Sequence, residues 1–258
     1  MNQKKPVVHL TRKLPDSTET RMRELFDARL NDTDTPRTTE ELVAMVKEAD
    51  VLVPTVTDRI DADLIAAAGD QLKLIASFGT GVDHIDLAAA KARGITVTNT
   101  PGVLTEDTAD VAMALMLAVP RRIAEGDKVT RTGEWTGWSP TGMLGHRING
   151  KRLGIIGMGR IGRAVAHRAH FGFGMEIVFQ NRSPVDDRAG VGGRQLASVA
   201  EVCAASDFVS LHCAATPETR HILGRHALAA MLPSAYVINT ARGDVVDEGA
   251  LVTALESG

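Results

Sequence analysis

Short apolar runs alternate with amphipathic stretches along the first hundred residues of the chain. The apolar runs have the length of buried strands, and the stretches between them carry apolar residues at helical spacing. Strands that alternate with helices predict a parallel sheet covered on both faces. The predicted strands are residues 7–10, 50–54, 72–76 and 95–97, and the predicted helices are residues 18–30, 40–47, 61–68 and 86–93.

A second series of strands and helices opens at Lys151, after a long predicted helix at residues 105–132 and a loop. We therefore expect an α/β protein of two Rossmann-like or flavodoxin-like doubly wound parallel-sheet domains, residues 1–102 and 103–258. The second sheet is expected to be incomplete at its C-terminus, because a doubly wound dinucleotide domain has a sixth strand. Its predicted strands are residues 153–156, 176–179, 194–196, 207–211 and 236–239, and its predicted helices are residues 163–169, 198–205 and 247–255.

Gly157, Gly159 and Gly162 form a Gly-x-Gly-x-x-Gly sequence between a predicted strand and a predicted helix. In this setting the first glycine permits a tight turn, and the second lets the backbone approach a pyrophosphate. The third lets helix and strand pack closely, so that the helix N-terminus faces the phosphate charge. A glycine-rich turn without a ligand is the alternative, but the strand–turn–helix setting favours dinucleotide binding.

The composition of the chain limits the kinds of binding partner that we expect. The 258 residues are 44% hydrophobic and carry a formal net charge of −3, so the chain can bury a core and nothing favours nucleic acid or a membrane. Cys203 and Cys213 have no metal-ligand or disulfide-framework spacing, and we expect no metal. No apolar stretch is long enough to cross a bilayer, and the N-terminus shows no signal peptide. We expect a cytoplasmic protein.

Four further segments carry distinctive motifs: residues 77–86 (SFGTGVDHID), 99–110 (NTPGVLTEDTAD), 211–220 (LHCAATPETR) and 239–247 (NTARGDVVD). With the glycine turn, they resemble the D-isomer-specific 2-hydroxyacid dehydrogenases, and most of all the glyoxylate/hydroxypyruvate reductase branch. The resemblance implies an oxidoreductase in which NAD(P)H reduces a small 2-oxo acid to the D-2-hydroxy acid, with residues 1–102 binding substrate and residues 103–258 binding the cofactor.

Arg242 is the catalytic residue that the resemblance implies, since a guanidinium offers a planar, charged fork to the carboxylate and carbonyl oxygens of the substrate. The backbone N–H groups of Thr80 and Gly81 would complete the carboxylate site, and Thr108 would lie beside the nicotinamide. A structural ion pair for Arg242, a plain turn around Gly81 and a helix-capping hydroxyl for Thr108 are the alternatives. The residues expected to bind the cofactor are Thr108, Gly157, Gly159, Arg160, Ile161, Gly162, Asn181, Arg182, Ser183, Cys213, Ala214, Thr219, Thr240 and Ala241.

The second strand of the cofactor domain ends at Asn181, Arg182 and Ser183, with no acidic residue at its tip. NAD-preferring sites carry a carboxylate there that binds the ribose 2′-hydroxyl. Asparagine and serine can instead hydrogen-bond a 2′-phosphate, and arginine can neutralise it. We therefore predict NADP(H) in preference to NAD(H). The alternative is that Arg182 stacks on the adenine and either cofactor is used.

The resemblance also implies a histidine as general acid and a glutamate that orients it. In the family both follow the segment that ends at Asp247, in a stretch that these 258 residues lack. We therefore expect a truncated form of a longer enzyme, without the last strands of the cofactor sheet and without the helix that returns to the first domain. Such a chain is expected to be inactive. His212, at a strand end, is interpreted as a near-core histidine and not as a substitute acid.

Two other functions stay open at this point. Some relatives use the same fold as cofactor-sensing corepressors, which makes a dinucleotide-binding regulatory protein one alternative. Formate and phosphite dehydrogenases share the fold and the arginine, so a dehydrogenase that acts on formate or phosphite is the other alternative. A full gene that encodes the glutamate and the histidine would favour an enzyme over a regulatory protein. Kinetic measurements with each substrate would distinguish the substrate classes.

Trp135 and Trp138 lie in a loop between the predicted long helix and the glycine turn. In the reductase branch this loop reaches across a two-fold axis to the substrate site of the partner, so we expect a homodimer. Tryptophans are enriched at such interfaces. The alternative is that both side chains fill a gap between the two domains.

Overall fold

A computed structural model of the chain describes residues 4–186 and 190–257. Residues 1–3, which begin the N-terminal segment where the sequence leads us to expect no signal peptide, lie outside this range. The chain divides into two compact units, Met1–Val103 and Leu104–Gly258. Each unit contains a five-stranded sheet in which all the paired strands are parallel.

The first unit has the strand order β2-β1-β3-β4-β5, which is the flavodoxin-like doubly wound order. Val8 and Leu10 of β1 face the side covered by α1, whereas Leu52 and Ile75 face the side covered by the other three helices. The strands are β1 Val7–Leu10, β2 Asp27–Arg29, β3 Val51–Val53, β4 Leu74–Ala76 and β5 Thr96–Thr98, and the helices are α1 Asp16–Leu25, α2 Thr39–Glu48, α3 Ala62–Ala67 and α4 Leu87–Ala92.

Side-chain caps decide where three of these helices begin. Thr38 and Glu41 form a reciprocal capping box at the start of α2. Asp61 and Asp86 each accept a backbone hydrogen bond in the first turn of α3 and α4. Helices α3 and α4 therefore begin one residue after the first residue of the helices predicted at 61–68 and 86–93.

The second unit has the order β10-β9-β6-β7-β8, which matches the first five strands of the dinucleotide-binding arrangement. Central strand β6 is buried on both faces: Leu153 and Ile155 pack on one side, and Ile156 packs on the other. The strands are β6 Arg152–Ile156, β7 Glu176–Gln180, β8 Arg194–Gln195, β9 Phe208–Leu211 and β10 Tyr236–Asn239, and the helices are α5 Thr105–Ala118, α6 Ile123–Arg131, α7 Arg160–Phe173, α8 Val199–Ala205, α9 Arg225–Ala229 and α10 Glu248–Ser257, with a 3₁₀ turn at Gly243–Val245.

Two element predictions are wrong, and one helix was missed. The helix predicted at residues 18–30 ends at Leu25, and Asp27–Arg29 forms edge strand β2. The long helix predicted at residues 105–132 is two helices, because the chain turns at Val119–Arg122, where Pro120 has no N–H to donate and Arg122 has a left-handed φ of 55°. Short helix α9 was not predicted at all.

None of the helices in the described ranges is both long and apolar enough to cross a membrane. In the same part of the chain, the His, Cys, Asp and Glu side chains do not form a group of three that could hold a metal ion. Cys203 and Cys213 are free thiols, and burial raises the pKa of Cys203 to about 11.

Candidate active site

The turn after β6 has the geometry that a dinucleotide pyrophosphate requires. Gly157 has a φ of +96°, and a Cβ at this residue would lie 2.6 Å from the backbone nitrogen of Cys213, so only glycine fits. A Cβ on Gly162 would collide with the Gly157 carbonyl oxygen, so this glycine lets α7 pack closely on β6. A Cβ on Gly159 would meet nothing within 4 Å. The second glycine therefore leaves open space beside the turn.

The N-terminus of α7 points its unsatisfied donors toward this turn. Gly159 is the N-cap residue and supplies no side-chain hydrogen bond to the first turn, which begins with Arg160 and Ile161. The first N–H groups of a helix have no intrahelical acceptor, and the helix dipole favours negative charge at that end. The glycine turn and this helix start together fit the phosphates of a dinucleotide.

Asn181 links the glycine turn to the loop that follows β7. Its Oδ1 accepts a hydrogen bond from the Met158 backbone nitrogen at 3.2 Å, and its Nδ2 donates to the Ser183 carbonyl oxygen at 3.0 Å. Both ends of the amide are therefore engaged within the protein. Arg182 and Ser183 are exposed beyond it, at the tip of the loop.

His212 and Cys213 follow β9 directly behind the glycine turn. The His212 backbone nitrogen donates to the Ile156 carbonyl oxygen at 2.8 Å. Its ring nitrogens contact the hydroxyls of Ser210 at 2.8 Å and Thr240 at 3.5 Å. Burial lowers the pKa of His212 to about 4, so the ring is neutral at physiological pH. The interpretation of His212 as a near-core histidine agrees with these contacts.

The rest of the loop after β9 is folded on itself and faces the loop after β7. Thr219 Oγ1 donates to the Ala214 carbonyl oxygen at 2.6 Å and accepts from the Thr216 backbone nitrogen at 2.8 Å. A hydrogen bond from Thr216 lowers the pKa of Glu218, and the nearby positive charge of Arg182 lowers it further. The tips of these two loops are therefore close enough to interact electrostatically.

Arg242 lies in the loop after β10, and Asn239 fixes the shape of that loop. The Asn239 side chain accepts from the Ala241 backbone nitrogen at 2.9 Å and donates to the Arg242 carbonyl oxygen at 2.8 Å. Arg242 itself is half-buried and donates from Nη1 to the Ala241 carbonyl oxygen at 3.0 Å. Because β10 is parallel to β9 and β6, this loop is at the same carboxyl edge of the sheet as the glycine turn.

In the first unit, Thr80 and Gly81 lie in the loop after β4, at the carboxyl edge of that sheet. The Thr80 hydroxyl donates to the Thr100 carbonyl oxygen at 3.1 Å, and the Asn99 side chain donates to the Thr80 carbonyl oxygen at 2.7 Å. The Thr100 backbone nitrogen donates to the Gly79 carbonyl oxygen at 3.0 Å. The segment after β5 therefore braces the loop predicted to bind the substrate carboxylate.

Comparison with known proteins identifies the family. Residues 113–258 match the model for the D-isomer specific 2-hydroxyacid dehydrogenase, NAD binding domain. A glyoxylate reductase of Thermococcus litoralis is 43% identical in an alignment of 258 positions that covers 98% of this chain and 77% of that protein. The chain belongs to the D-isomer-specific 2-hydroxyacid dehydrogenase family. The predicted resemblance and the predicted α/β class of two doubly wound parallel sheets are confirmed.

Solved structures of similar proteins have the same fold along nearly all of this chain. An acyclic imino acid reductase in complex with NADPH and D-Arg gives a TM-score of 0.87 at 29% identity, covering 97% of this chain and 79% of that one. A D-lactate dehydrogenase from Aquifex aeolicus, complexed with NAD and lactic acid, gives a TM-score of 0.83 at 29% identity, covering 98% of this chain and 74% of that one. Both of those structures contain a nicotinamide dinucleotide.

Three residues that the family resemblance singles out lie outside the loops described so far. Thr108 is in the first turn of α5, four residues after the N-cap Leu104, so its hydroxyl is not the cap of that helix. Trp135 and Trp138 are 64% and 84% exposed. They follow α6, which has no buried residue.

Sequence reasoning missed two residues that shape dehydrogenase loops. Asn239 shapes the arginine loop, and Asn99 braces the loop of Thr80. An asparagine at the end of each predicted strand is the available signal, because its side chain commonly bonds the backbone of the following turn.

Proposed function

We propose that this chain carries the cofactor site and the substrate arginine of an NADPH-preferring reductase for small 2-oxo acids of the glyoxylate or hydroxypyruvate type. One placement carries the proposal: the glycine turn and Arg242 follow strands of the same parallel sheet, at its carboxyl edge. Ligands of doubly wound sheets bind at that edge. The product is the D-2-hydroxy acid, and the glyoxylate reductase named above supports the substrate class.

The proposed roles follow from the chemistry of each group. Arg242 holds the carboxylate and polarises the carbonyl oxygen of the oxo acid, since its charge is permanent and its donors form a planar fork. Backbone N–H groups at Thr80 and Gly81 bind the carboxylate, and Thr108 packs beside the nicotinamide. When bound, the reduced nicotinamide supplies the hydride that the carbonyl carbon receives.

The remaining cofactor contacts fall to the loops at the carboxyl edge of the second sheet. The glycine turn and the start of α7 bind the pyrophosphate through backbone N–H groups. The loops after β9 and β10 flank the adenosine and nicotinamide ends. These contacts are assigned to Gly157, Gly159, Arg160, Ile161, Gly162, Cys213, Ala214, Thr219, Thr240 and Ala241.

The preference for NADP(H) is assigned to the loop after β7. Arg182 and Ser183 are exposed at the tip of this loop and offer a positive charge and a hydroxyl to a 2′-phosphate. Asn181 holds the base of the loop, because its amide is engaged with Met158 and Ser183. NADPH should bind this chain at least about tenfold more tightly than NADH, a difference of about 1.4 kcal/mol. Tighter NADH binding would reject the assignment.

We assign no general acid within these 258 residues. His212 is the histidine behind the glycine turn, but burial lowers its pKa to about 4, so it has no proton to give at neutral pH. The chain is therefore proposed to bind its cofactor without turning over, with the histidine and glutamate of the family absent from it.

The test combines binding and turnover on the 258-residue chain, after its mass has been confirmed. Nicotinamide fluorescence measures NADPH binding, and NADPH oxidation is followed with glyoxylate and with hydroxypyruvate. We expect saturable binding and no turnover. Turnover of about 1–1000 per second would show that another residue supplies the proton. A folded chain that binds no NADPH would refute the proposal as a whole.

A homodimer is the proposed assembly. The segment from α6 to Leu144 carries exposed apolar side chains: Trp138 is 84% exposed, and Ile123 and Leu144 are both more than half exposed. Large exposed apolar side chains that lie together mark interaction surfaces. Light scattering should give the mass of two chains, and a change of Trp138 to Ser should shift it toward one. A wild-type monomer would reject the assembly.

The cytoplasm is the proposed location. Cys203 and Cys213 are both free, and Cys203 is fully buried. Thiols persist in a reducing compartment and oxidise elsewhere. Labelling of both thiols after denaturation of protein from its natural host would support this, whereas isolation as a disulfide would reject it.

A further inference from the structure

The loop after β7, residues 181–186, carries the groups proposed to distinguish NADPH from NADH. Arg182 and Ser183 are exposed on it. An exposed side chain is positioned mainly by the backbone that bears it, so the contact with a 2′-phosphate depends on the shape of the loop. A loop that is already in its binding conformation pays less conformational entropy when the ligand binds.

Gln195, on the two-residue edge strand β8, contacts this loop through three hydrogen bonds. Its Nε2 donates to the carbonyl oxygens of Asn181 at 3.0 Å and Ser183 at 3.3 Å. Its Oε1 accepts from the Val185 backbone nitrogen at 3.2 Å. A primary amide is the side chain that offers two donors and an acceptor together. The bonds span both sides of Arg182.

Separate contacts hold the two ends of the same loop. At its start, Asn181 accepts from the Met158 backbone nitrogen. At its end, Arg163 of α7 donates to the carbonyl oxygen of Asp186 at 3.0 Å and to its carboxylate at 3.1 Å. Gln195 therefore acts on the middle of the loop, where Arg182 and Ser183 lie.

The sheet brings Gln195 to this place. Strand β8 pairs with β7 in a parallel register that sets Phe179 opposite Gln195, and the Leu196 backbone nitrogen donates to the Phe179 carbonyl oxygen at 2.8 Å. The loop begins two residues after Phe179. An exposed glutamine on so short an edge strand adds little to the core, so its three bonds to the loop are its main structural contribution.

We propose that Gln195 is a positioning residue that sets the NADPH-over-NADH preference by fixing the backbone around Arg182 and Ser183. The inference rests on the proposed function, because it assumes that this loop meets the 2′-phosphate. Gln195 itself does not bind the cofactor. Its effect is transmitted through Arg182, and it should therefore depend on Arg182.

The first experiment compares Gln195→Met with the wild-type chain by fluorescence titration with NADPH and with NADH. Methionine keeps the length of the side chain and removes all three hydrogen bonds. We expect the Kd for NADPH to rise about tenfold, equivalent to about 1.4 kcal/mol, and the Kd for NADH to change less than about twofold. Gln71→Met, the same change on the first unit, is the matched control and should alter neither Kd.

A double-mutant cycle with Arg182→Gln tests whether Gln195 acts through the arginine. In the Arg182→Gln background, Gln195→Met should change the Kd for NADPH less than about twofold. Equal weakening of NADPH and NADH would overturn the proposal, because Gln195 would then be only structural. An unchanged Kd for NADPH, or full additivity in the cycle, would overturn it as well. The wild-type ratio of the two Kd values separately reports on the NADPH preference, so each idea can fail alone.

Discussion

Gly159→Ala should abolish most cofactor affinity without harming the fold. The added methyl would meet no protein atom within 4 Å. The backbone at Gly159 has φ −79° and ψ −158°, which is extended and open to alanine. The open space beside the turn is the place proposed for the pyrophosphate, so the methyl would obstruct the ligand and not the protein.

The size of each effect can be worked from this geometry. A glycine-to-alanine change at a compatible backbone position stabilises a protein by about 0.4–1 kcal/mol through the unfolded state. Hydrogen bonds to a charged group are worth about 1.5–3 kcal/mol each. Loss of one such bond between the turn and the pyrophosphate therefore weakens NADPH binding about 10- to 150-fold. Stability and affinity should change in opposite directions.

Two other alanine variants serve as controls for this experiment. Gly172→Ala also adds a methyl in open space, but toward the other end of α7, about 20 Å along the helix axis. It should raise stability slightly and leave the NADPH Kd unchanged. Gly157→Ala should instead destabilise the chain by more than about 1 kcal/mol, because its φ is +96° and its Cβ would press on the backbone of Cys213.

Urea unfolding and NADPH titration of the three variants provide the measurements. If Gly159→Ala kept wild-type affinity for NADPH while folded, the pyrophosphate would not approach this turn, and the cofactor placement would be wrong. If it unfolded the chain, the open space beside Gly159 would not exist in solution.

Three further predictions concern stability. Because the pKa of His212 is lowered in the folded chain, the unfolded chain binds a proton at this histidine first as the pH falls below 6.5. The free energy of unfolding of the wild type should therefore fall by about 2–3 kcal/mol between pH 6.5 and 4.5 because of His212. Urea unfolding of His212→Gln at both pH values should not show this loss. Asn239→Ala should cost about 1–2 kcal/mol in the same assay, because two backbone bonds of the arginine loop are lost. Arg168→Ala, which removes ion pairs from α7 to Glu106 and Asp110, should cost no more than about 1 kcal/mol, and less in 1 M salt, since both carboxylates are largely exposed.

Much of the fold could be predicted from the sequence because buried parallel strands are continuous apolar runs. The run at β6 and the glycines after it define the strand, the turn and the helix by local rules alone. Strand β2 escaped prediction because Asp27–Arg29 is polar and pairs with one neighbour at the sheet edge. The break between α5 and α6 had a local signal in Pro120, which the long apolar helical pattern outweighed.

The candidate site also has one part that could be predicted from the sequence and one part that could not. The glycine turn is predictable because its glycine spacing lies between a strand and a helix that local patterns also predict. The partners of Asn181 and Gln195 are not predictable, since both depend on which backbone groups the sheet register brings opposite them. A side chain that looks ready to bind a phosphate can therefore be engaged in shaping the loop.

The most direct test of the account is the pair of Kd values for NADPH and NADH on the folded 258-residue chain. We expect both dinucleotides to bind saturably, with NADPH bound at least about tenfold more tightly because of the loop after β7. Saturable binding with NADH preferred would contradict the role of Arg182 and Ser183. No binding of either dinucleotide would contradict the central claim that the second unit is a nicotinamide-dinucleotide site.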